Sequence, residues 1–209
     1  MPKAQVDSLH YSNKNYLTMV RSIMHWVQAK EVSEASLDIQ SVLEIGPGTG
    51  HTSWILNLWG HQVTTLDIDE SLQPDIVANI KTLDLPANEY DVVLAAEILE
   101  HLPYEEFEPA LKKLGEIARY AVVITLPAPL VGMSLMANLS GITPFGLSLG
   151  IPYFKKHSFD GQHYWELGKR GYSLRKVKQS IQAAGLEIVK CYRPKLSLYC
   201  YMFVLKPTH

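Results

Sequence analysis

The apolar positions of this chain change period along its length. From Asn15 they fall at Tyr16, Leu17, Val20, Ile23, Met24 and Val27, the spacing of one helical face turned toward a core. The ten residues at the start are polar and read as loose. Beyond residue 40 short apolar runs alternate with helical stretches. Residues 41–45, 62–66, 76–78, 91–96 and 120–126 read as strands, and 52–59 and 104–118 as helices. Strands alternating with helices predict βαβ units on a parallel sheet. The runs are apolar on both faces, as expected where helices cover both sides. The ending differs. Ser173 can cap a helix carrying Leu174, Val177, Ile181 and Ala184, with Gly185 just past its end. Strands at 186–192 and 198–205 come next, and the linker Arg193-Pro194-Lys195 is too short for a parallel crossover, so these two are antiparallel.

At 209 residues the chain is long enough for one domain with a sizeable core. Lys and Arg number 19 and Asp and Glu 21, a net charge of −2, so a nucleic-acid partner is not expected. The basic clusters, Lys155-Lys156 and Lys169-Arg170 through Lys178, read as solvated faces. Cys191 and Cys200 are too few for a disulfide framework and lack metal-ligand spacing, so no metal is expected. The residues from Met1 to Asp7 include no apolar leader core. Together these features predict a cytoplasmic protein with free thiols.

One stretch stands apart. No charged residue occurs from Tyr120 to Phe154. Its first part is the fifth strand; the rest is an apolar insertion punctuated by Pro127, Pro129, Pro144 and Pro152 and by Gly132, Gly141, Gly146 and Gly150. Its longest proline-free run, 130–143, is shorter than the ~20 residues a spanning helix needs. The plain expectation is a helix over 130–139 and a loop packed on the sheet. The sharper one is a lid over an apolar acceptor, a peripheral membrane contact or a homodimer contact through 127–154.

The most informative run is Val42-Leu43-Glu44-Ile45-Gly46-Pro47-Gly48-Thr49-Gly50, between a strand and a helix. Parallel sheets bind ligands at the carboxyl ends of their strands. A dinucleotide fingerprint needs glycine where His51 stands, and a phosphate loop needs a lysine after Gly50 that is absent. Glu44 disfavours a phosphate beside this loop and suits an ammonium group. Asp67, at the end of the next strand, can accept both hydroxyls of a ribose and would repel a 2′-phosphate. It reads about equally as an ordinary helix cap.

Taken in order, these runs resemble the class I S-adenosylmethionine-dependent methyltransferases, in their small-molecule branch. Residues 44–50 look like that family's first motif and Leu66-Asp67-Ile68 like its second. Residues 75–80 resemble the segment that lines adenine, 89–102 the fourth strand with the helix after it, and Gly161-Gln162-His163-Tyr164-Trp165-Glu166 the late region. Asn79 stands where that branch often has Asp. The resemblance spans 41–206. It implies a Rossmann-like, doubly wound α/β fold: a seven-stranded sheet, mostly parallel with an antiparallel C-terminal strand, and helices on both faces. It implies a single domain as well, with a helical cap (1–30), a cofactor-binding core (41–126), the apolar substrate-side segment (127–170) and a closing helix with two strands (171–209).

The resemblance also implies roles. Gly46, Gly48 and Gly50 would line the methionine part and ribose of S-adenosylmethionine, and Glu44 would hold its amino group. Asp67 would take the ribose hydroxyls, Ile68 would pack on adenine, and Asn79 and Ile80 would meet its edge. Ala96 and Glu97 would face the sulfonium and a small or lipid-like methyl acceptor, leaving S-adenosylhomocysteine. Methyl transfer needs alignment first, and a base only if the acceptor must lose a proton. The candidates for that base are Glu97, His101 and His163. His101 also reads as a helix residue paired with a neighbour, and Glu97 as a cofactor or structural contact. Two rivals stay open: a non-catalytic S-adenosylmethionine-binding protein and, less favoured, a nicotinamide-dependent oxidoreductase.

Overall fold

The computed structural model describes residue 11 and residues 16–137, 140–141, 145–152 and 155–208. The first helix, α1 (Met19–Ser33), starts where the Thr18 hydroxyl accepts from Arg21 N at 3.3 Å. Asn15 lies outside the described residues, and Tyr16 and Leu17, expected on the helix, precede it in a turn. The deeply buried face of α1 is its last two turns, with Ala29 and Val32, while Val20 is exposed.

Strand β1 (Ser41–Ile45), helix α2 (His51–Leu58), and strands β2 (Gln62–Asp67), β3 (Ile76–Val77) and β4 (Tyr90–Ala96) come next along the chain. Then come α3 (Phe107–Ile117), β5 (Ala118–Pro127), the pair β6 (Leu130–Ala137) and β7 (Phe145–Pro152), α4 (Leu174–Ala183), β8 (Leu186–Tyr192) and β9 (Cys200–Pro207). The main sheet has seven strands in the order β3-β2-β1-β4-β5-β9-β8. Every pair from β3 to β5 is parallel, and β9 runs antiparallel between β5 and β8. This is the expected doubly wound sheet with its antiparallel C-terminal strand.

Both faces of the sheet are dry. Helix α3 sets Phe107, Ala110, Leu111 and Leu114 at helical spacing onto one face, joined by Val177 and Ile181 of α4. On the other face Ala29 and Val32 of α1 and Leu56 of α2 meet Val42, Val92, Leu94 and Val123. Val92, Val93, Leu94 and Ala95 of β4 have no exposed surface, which explains a run without polar alternation. The chain leaves β1 for one side and β4 for the other. The strand order therefore reverses between them, and the crevice at their carboxyl ends is the ligand position of such sheets.

The apolar insertion is not a helix. Strands β6 and β7 form a separate antiparallel hairpin in register from Leu130↔Pro152 to Ala137↔Phe145. The reason is a period of two. Gly132, Ser134, Ser148 and Gly150 share one face, where a Cβ on Gly132 would collide with the Leu149 carbonyl. Val131, Met133 and Leu135 face Ile151, Leu149 and Leu147 on the other, and all six are exposed, from 44% to 72%. Cross-strand pairing overrides the local helical preference of the first strand.

Candidate active site

The first motif folds as a turn that glycine alone makes cheaply. Gly46, Gly48 and Gly50 have φ of +67°, +53° and +71°, the left-handed region. A Cβ on Gly46 would overlap Ile98, and one on Gly48 would lie 3.1 Å from the Tyr11 ring, whereas nothing stands within 4 Å of Gly50. The loop is tied down by Gly46 N donating to Leu66 O at 2.8 Å and Gly50 N to Pro47 O at 2.9 Å. Tyr11 meets Tyr16 edge-on with ring centroids 5.3 Å apart, so an N-terminal aromatic pair reaches this loop through Tyr11. Their sequence neighbourhood carries no motif, so nothing in the sequence marks them.

Glu44 is buried, and its carboxylate accepts from the Ser53 hydroxyl of α2. Burial pushes its carboxyl up to about 7, against the lowering effect of the Ser53 bonds. Its immediate partner is thus a helix serine, which locks β1 to α2. Asp67 is half-buried at the end of β2, with Oδ1 accepting from Asp69 N at 2.9 Å; burial raises its carboxyl above the ordinary range. Ile68 lies beside it, partly exposed. Asn79 caps a short turn, its Oδ1 accepting from Lys81 N at 2.9 Å. Ile80 sends its side chain into the core at 7% exposure, which leaves only its backbone to line a cleft.

Strand β4 ends at Ala96, and Glu97 has φ +56° with its N–H donating to Thr125 O at 3.1 Å. The three candidate bases come together there. His101 lies on a single turn, Leu99–His101, and its ring meets that of His163 edge-on, centroids 5.1 Å apart. His163 is carried in by the late segment. Trp165, fully buried, donates from Nε1 to Leu102 O at 3.2 Å, Tyr164 N donates to Glu100 O at 2.9 Å, and Leu167 N to Pro127 O at 2.8 Å. Burial pushes the Glu97 carboxyl up to about 7 and the His101 imidazole down to about 4. His101 is therefore neutral at pH 7 and a weak base. Glu100 joins them without having been expected from the sequence. Its place three residues after Glu97 and one before His101 is the signal that could have found it.

Residues 43–120, from the first motif into β5, match the model of the family described as "Methyltransferase domain". Over those residues the chain is similar to a methyltransferase domain. Solved methyltransferases share its fold across nearly the whole chain. The 1,6-didemethyltoxoflavin-N1-methyltransferase of Burkholderia thailandensis, solved with 1,6-didemethyltoxoflavin and S-adenosylhomocysteine, has a TM-score of 0.65 at 15% identity, covering 96% of this chain and 85% of that one. Magnesium protoporphyrin IX methyltransferase from Synechocystis, solved with its S-adenosylmethionine, has a TM-score of 0.60 at 15% identity, covering 96% and 90%. A curated relative, ribosomal RNA small subunit methyltransferase A of Ligilactobacillus salivarius, is 32% identical over 114 residues, 54% of this chain. The chain spans about a third of that relative's length, 36%. Among the described residues no helix is long and apolar enough to cross a membrane.

Proposed function

We propose that this protein transfers the methyl group of S-adenosylmethionine to a small, apolar acceptor by in-line displacement. The observation that carries this reading is the crevice at the carboxyl ends of β1, β2 and β4. There three left-handed glycines, the half-buried carboxylate of Asp67 and the end of β4 at Glu97 converge. Gly46, Gly48 and Gly50 give the backbone room against the methionine part and the ribose. Asp67 accepts the ribose hydroxyls, Ile68 packs on adenine, and Asn79 with the Ile80 backbone meets the adenine edge. Glu44 acts on the amino group from behind the loop, and Ala96 borders the sulfonium. The acceptor's lone pair attacks the methyl carbon, the carbon–sulfur bond breaks, and the sulfur keeps its electron pair in S-adenosylhomocysteine. Glu97 and His163 are the groups that touch the acceptor, with His101 behind them.

Calorimetry with S-adenosylmethionine, S-adenosylhomocysteine and NAD tests this. Micromolar binding of both sulfur ligands and none of NAD is expected. Asp67→Ala removes charge-assisted bonds and should weaken the sulfur ligands roughly 10- to 100-fold. No binding of either would sink the reading. Binding without methylation of any acceptor would leave a regulatory S-adenosylmethionine-binding protein instead. A ribosomal RNA acceptor, as in the name of that relative, is disfavoured because a chain of net charge −2 lacks the basic excess usual for RNA binding.

The hairpin supports the apolar side of this reading. Its six-residue exposed ladder is uncharged, and exposed Lys155 and Lys156 come directly after it, which suits an anionic lipid surface. The chain is expected to co-sediment with phosphatidylglycerol vesicles, and Leu147→Asp with Leu149→Asp, both exposed and outside the two core clusters, should abolish that. A dimer by light scattering that the same pair dissolves would assign the ladder to a second copy.

A further inference from the structure

Glu100 has no exposed surface, and neither of its carboxylate oxygens has a hydrogen-bond partner. Both oxygens of Glu97 are likewise buried and unpartnered. Buried carboxylates without donors are costly unless they are paired or hold a metal. Among the described residues no lysine or arginine pairs with either of these two. Imidazoles stand beside them instead. Glu100 Oε1 stands 4.0 Å from His163 Nε2, too far for a hydrogen bond. The ligand-capable atoms of Glu100, His101 and His163 all lie within 4.8 Å of one another. Small side-chain shifts would bring all three to the roughly 2.0–2.2 Å that a bound ion takes.

The surroundings match. His163 Nδ1 donates to Glu166 Oε1 at 3.1 Å, and Glu166 is anchored by Lys169 at 3.4 Å. His163 Nε2 is the nitrogen on the Glu100 side. His101 Nδ1 donates to Gln162 O at 3.1 Å. A carboxylate and a carbonyl behind two imidazoles form the outer shell that fixes ligating histidines. Asp160, the other acid nearby, is a turn cap. It accepts from Gln162 N and His163 N at 3.0 and 2.8 Å and faces solvent.

We propose that Glu100, His101 and His163 bind one divalent first-row cation at the acceptor end of the cleft, beside the buried Glu97. One carboxylate with two imidazoles suits Mn2+, Fe2+ or Zn2+ better than Ca2+, which prefers oxygen ligands alone. Resting on the methyl-transfer reading above, the ion defines the acceptor as an oxygen nucleophile. A ligated hydroxyl loses its proton to water, the oxyanion attacks the methyl carbon, and neutral S-adenosylhomocysteine departs. The acceptor then needs no dedicated protein base.

The test is titration of the EDTA-stripped protein with Mn2+, followed by electron paramagnetic resonance, and with Zn2+ by calorimetry. One Mn2+ per chain is expected. Glu100→Gln should weaken binding at least 10-fold. Glu166→Gln, which acts through His163, should weaken it roughly 10- to 100-fold, as an outer-shell partner does. Retained S-adenosylhomocysteine binding shows each variant folded. Should either variant lose it, His163→Gln serves in its place. Neither cation binding, or binding unchanged in the variants, overturns the site. Cation binding without S-adenosylhomocysteine binding would overturn the methyl-transfer reading and leave the site standing.

Discussion

Trp165→Ala is expected to lower stability by about 3–5 kcal/mol, the range for deleting a buried large aromatic. Trp165 has no exposed surface and meets Tyr104 and Phe107 edge-on, each with ring centroids 4.9 Å apart, and Tyr172 at 5.8 Å. Its indole N–H is also a donor to Leu102 O, so the substitution opens a cavity and orphans a carbonyl. Trp165→Phe keeps much of the packing and loses the donor, at about 1–3 kcal/mol. Urea unfolding checks both. The function should suffer beyond the stability loss, because Trp165 pins the segment that delivers His163. At temperatures where Trp165→Phe stays folded, cofactor affinity at the β1 loop should hold while turnover falls. Equal stability of Trp165→Ala and the parent would refute this account of the core.

The second large effect is in pH. Glu44 carries a folded-state value of about 7 against an ordinary 4.5. Between these values the native state holds a proton that the unfolded chain has released. Stability from this group is therefore fully present below pH 4.5, falls as pH rises to 7, and levels off above. The loss is roughly 3 kcal/mol at 1.36 kcal/mol per pH unit. Glu44→Gln keeps an acceptor for Ser53 and removes the titration. Its unfolding free energy, measured at pH 5, 6, 7 and 8, should decline less steeply than the parent's by about that amount. His25 and His101, both pushed down to about 4 by burial, act in the opposite sense between pH 4 and 6.5. They are common to both proteins, so the difference isolates Glu44. Parallel curves would mean that Glu44 stays ionised in the folded chain.

The sheet is legible in the sequence because its strands are buried on both faces, and that leaves a continuous apolar run. The run 91–96 becomes β4 nearly residue for residue. The first-motif glycines are legible because each sits at a positive φ that other residues avoid. Ile80 is misleading. A motif position fixes where the backbone goes, and the side chain turns to the core. The hairpin escapes a local reading because residues 130–137 alone fit a helix. Only the alternation of Gly146, Ser148 and Gly150 with Leu147, Leu149 and Ile151 betrays a strand, and the first strand's partner is this next segment rather than its own turn. The carboxylate–imidazole cluster is hidden for a related reason. Its members lie at 97–101 and at 163, and no local spacing joins them until Trp165 docks.

The position of β9 has a consequence for synthesis. Its residues Met202, Phe203, Val204 and Leu205 are buried between β5 and β8, so β5 is an open edge until they emerge. The ends of β5 and β9, Pro127 and Pro207, are 80 residues apart. At roughly 5–20 residues per second that interval lasts roughly 4–16 s. For those seconds the nascent chain shows an apolar strand with free N–H and C=O groups beside an uncharged hairpin. Slower elongation lengthens the exposure, so yield of folded protein should depend on chaperone supply more than on the stability of the finished sheet.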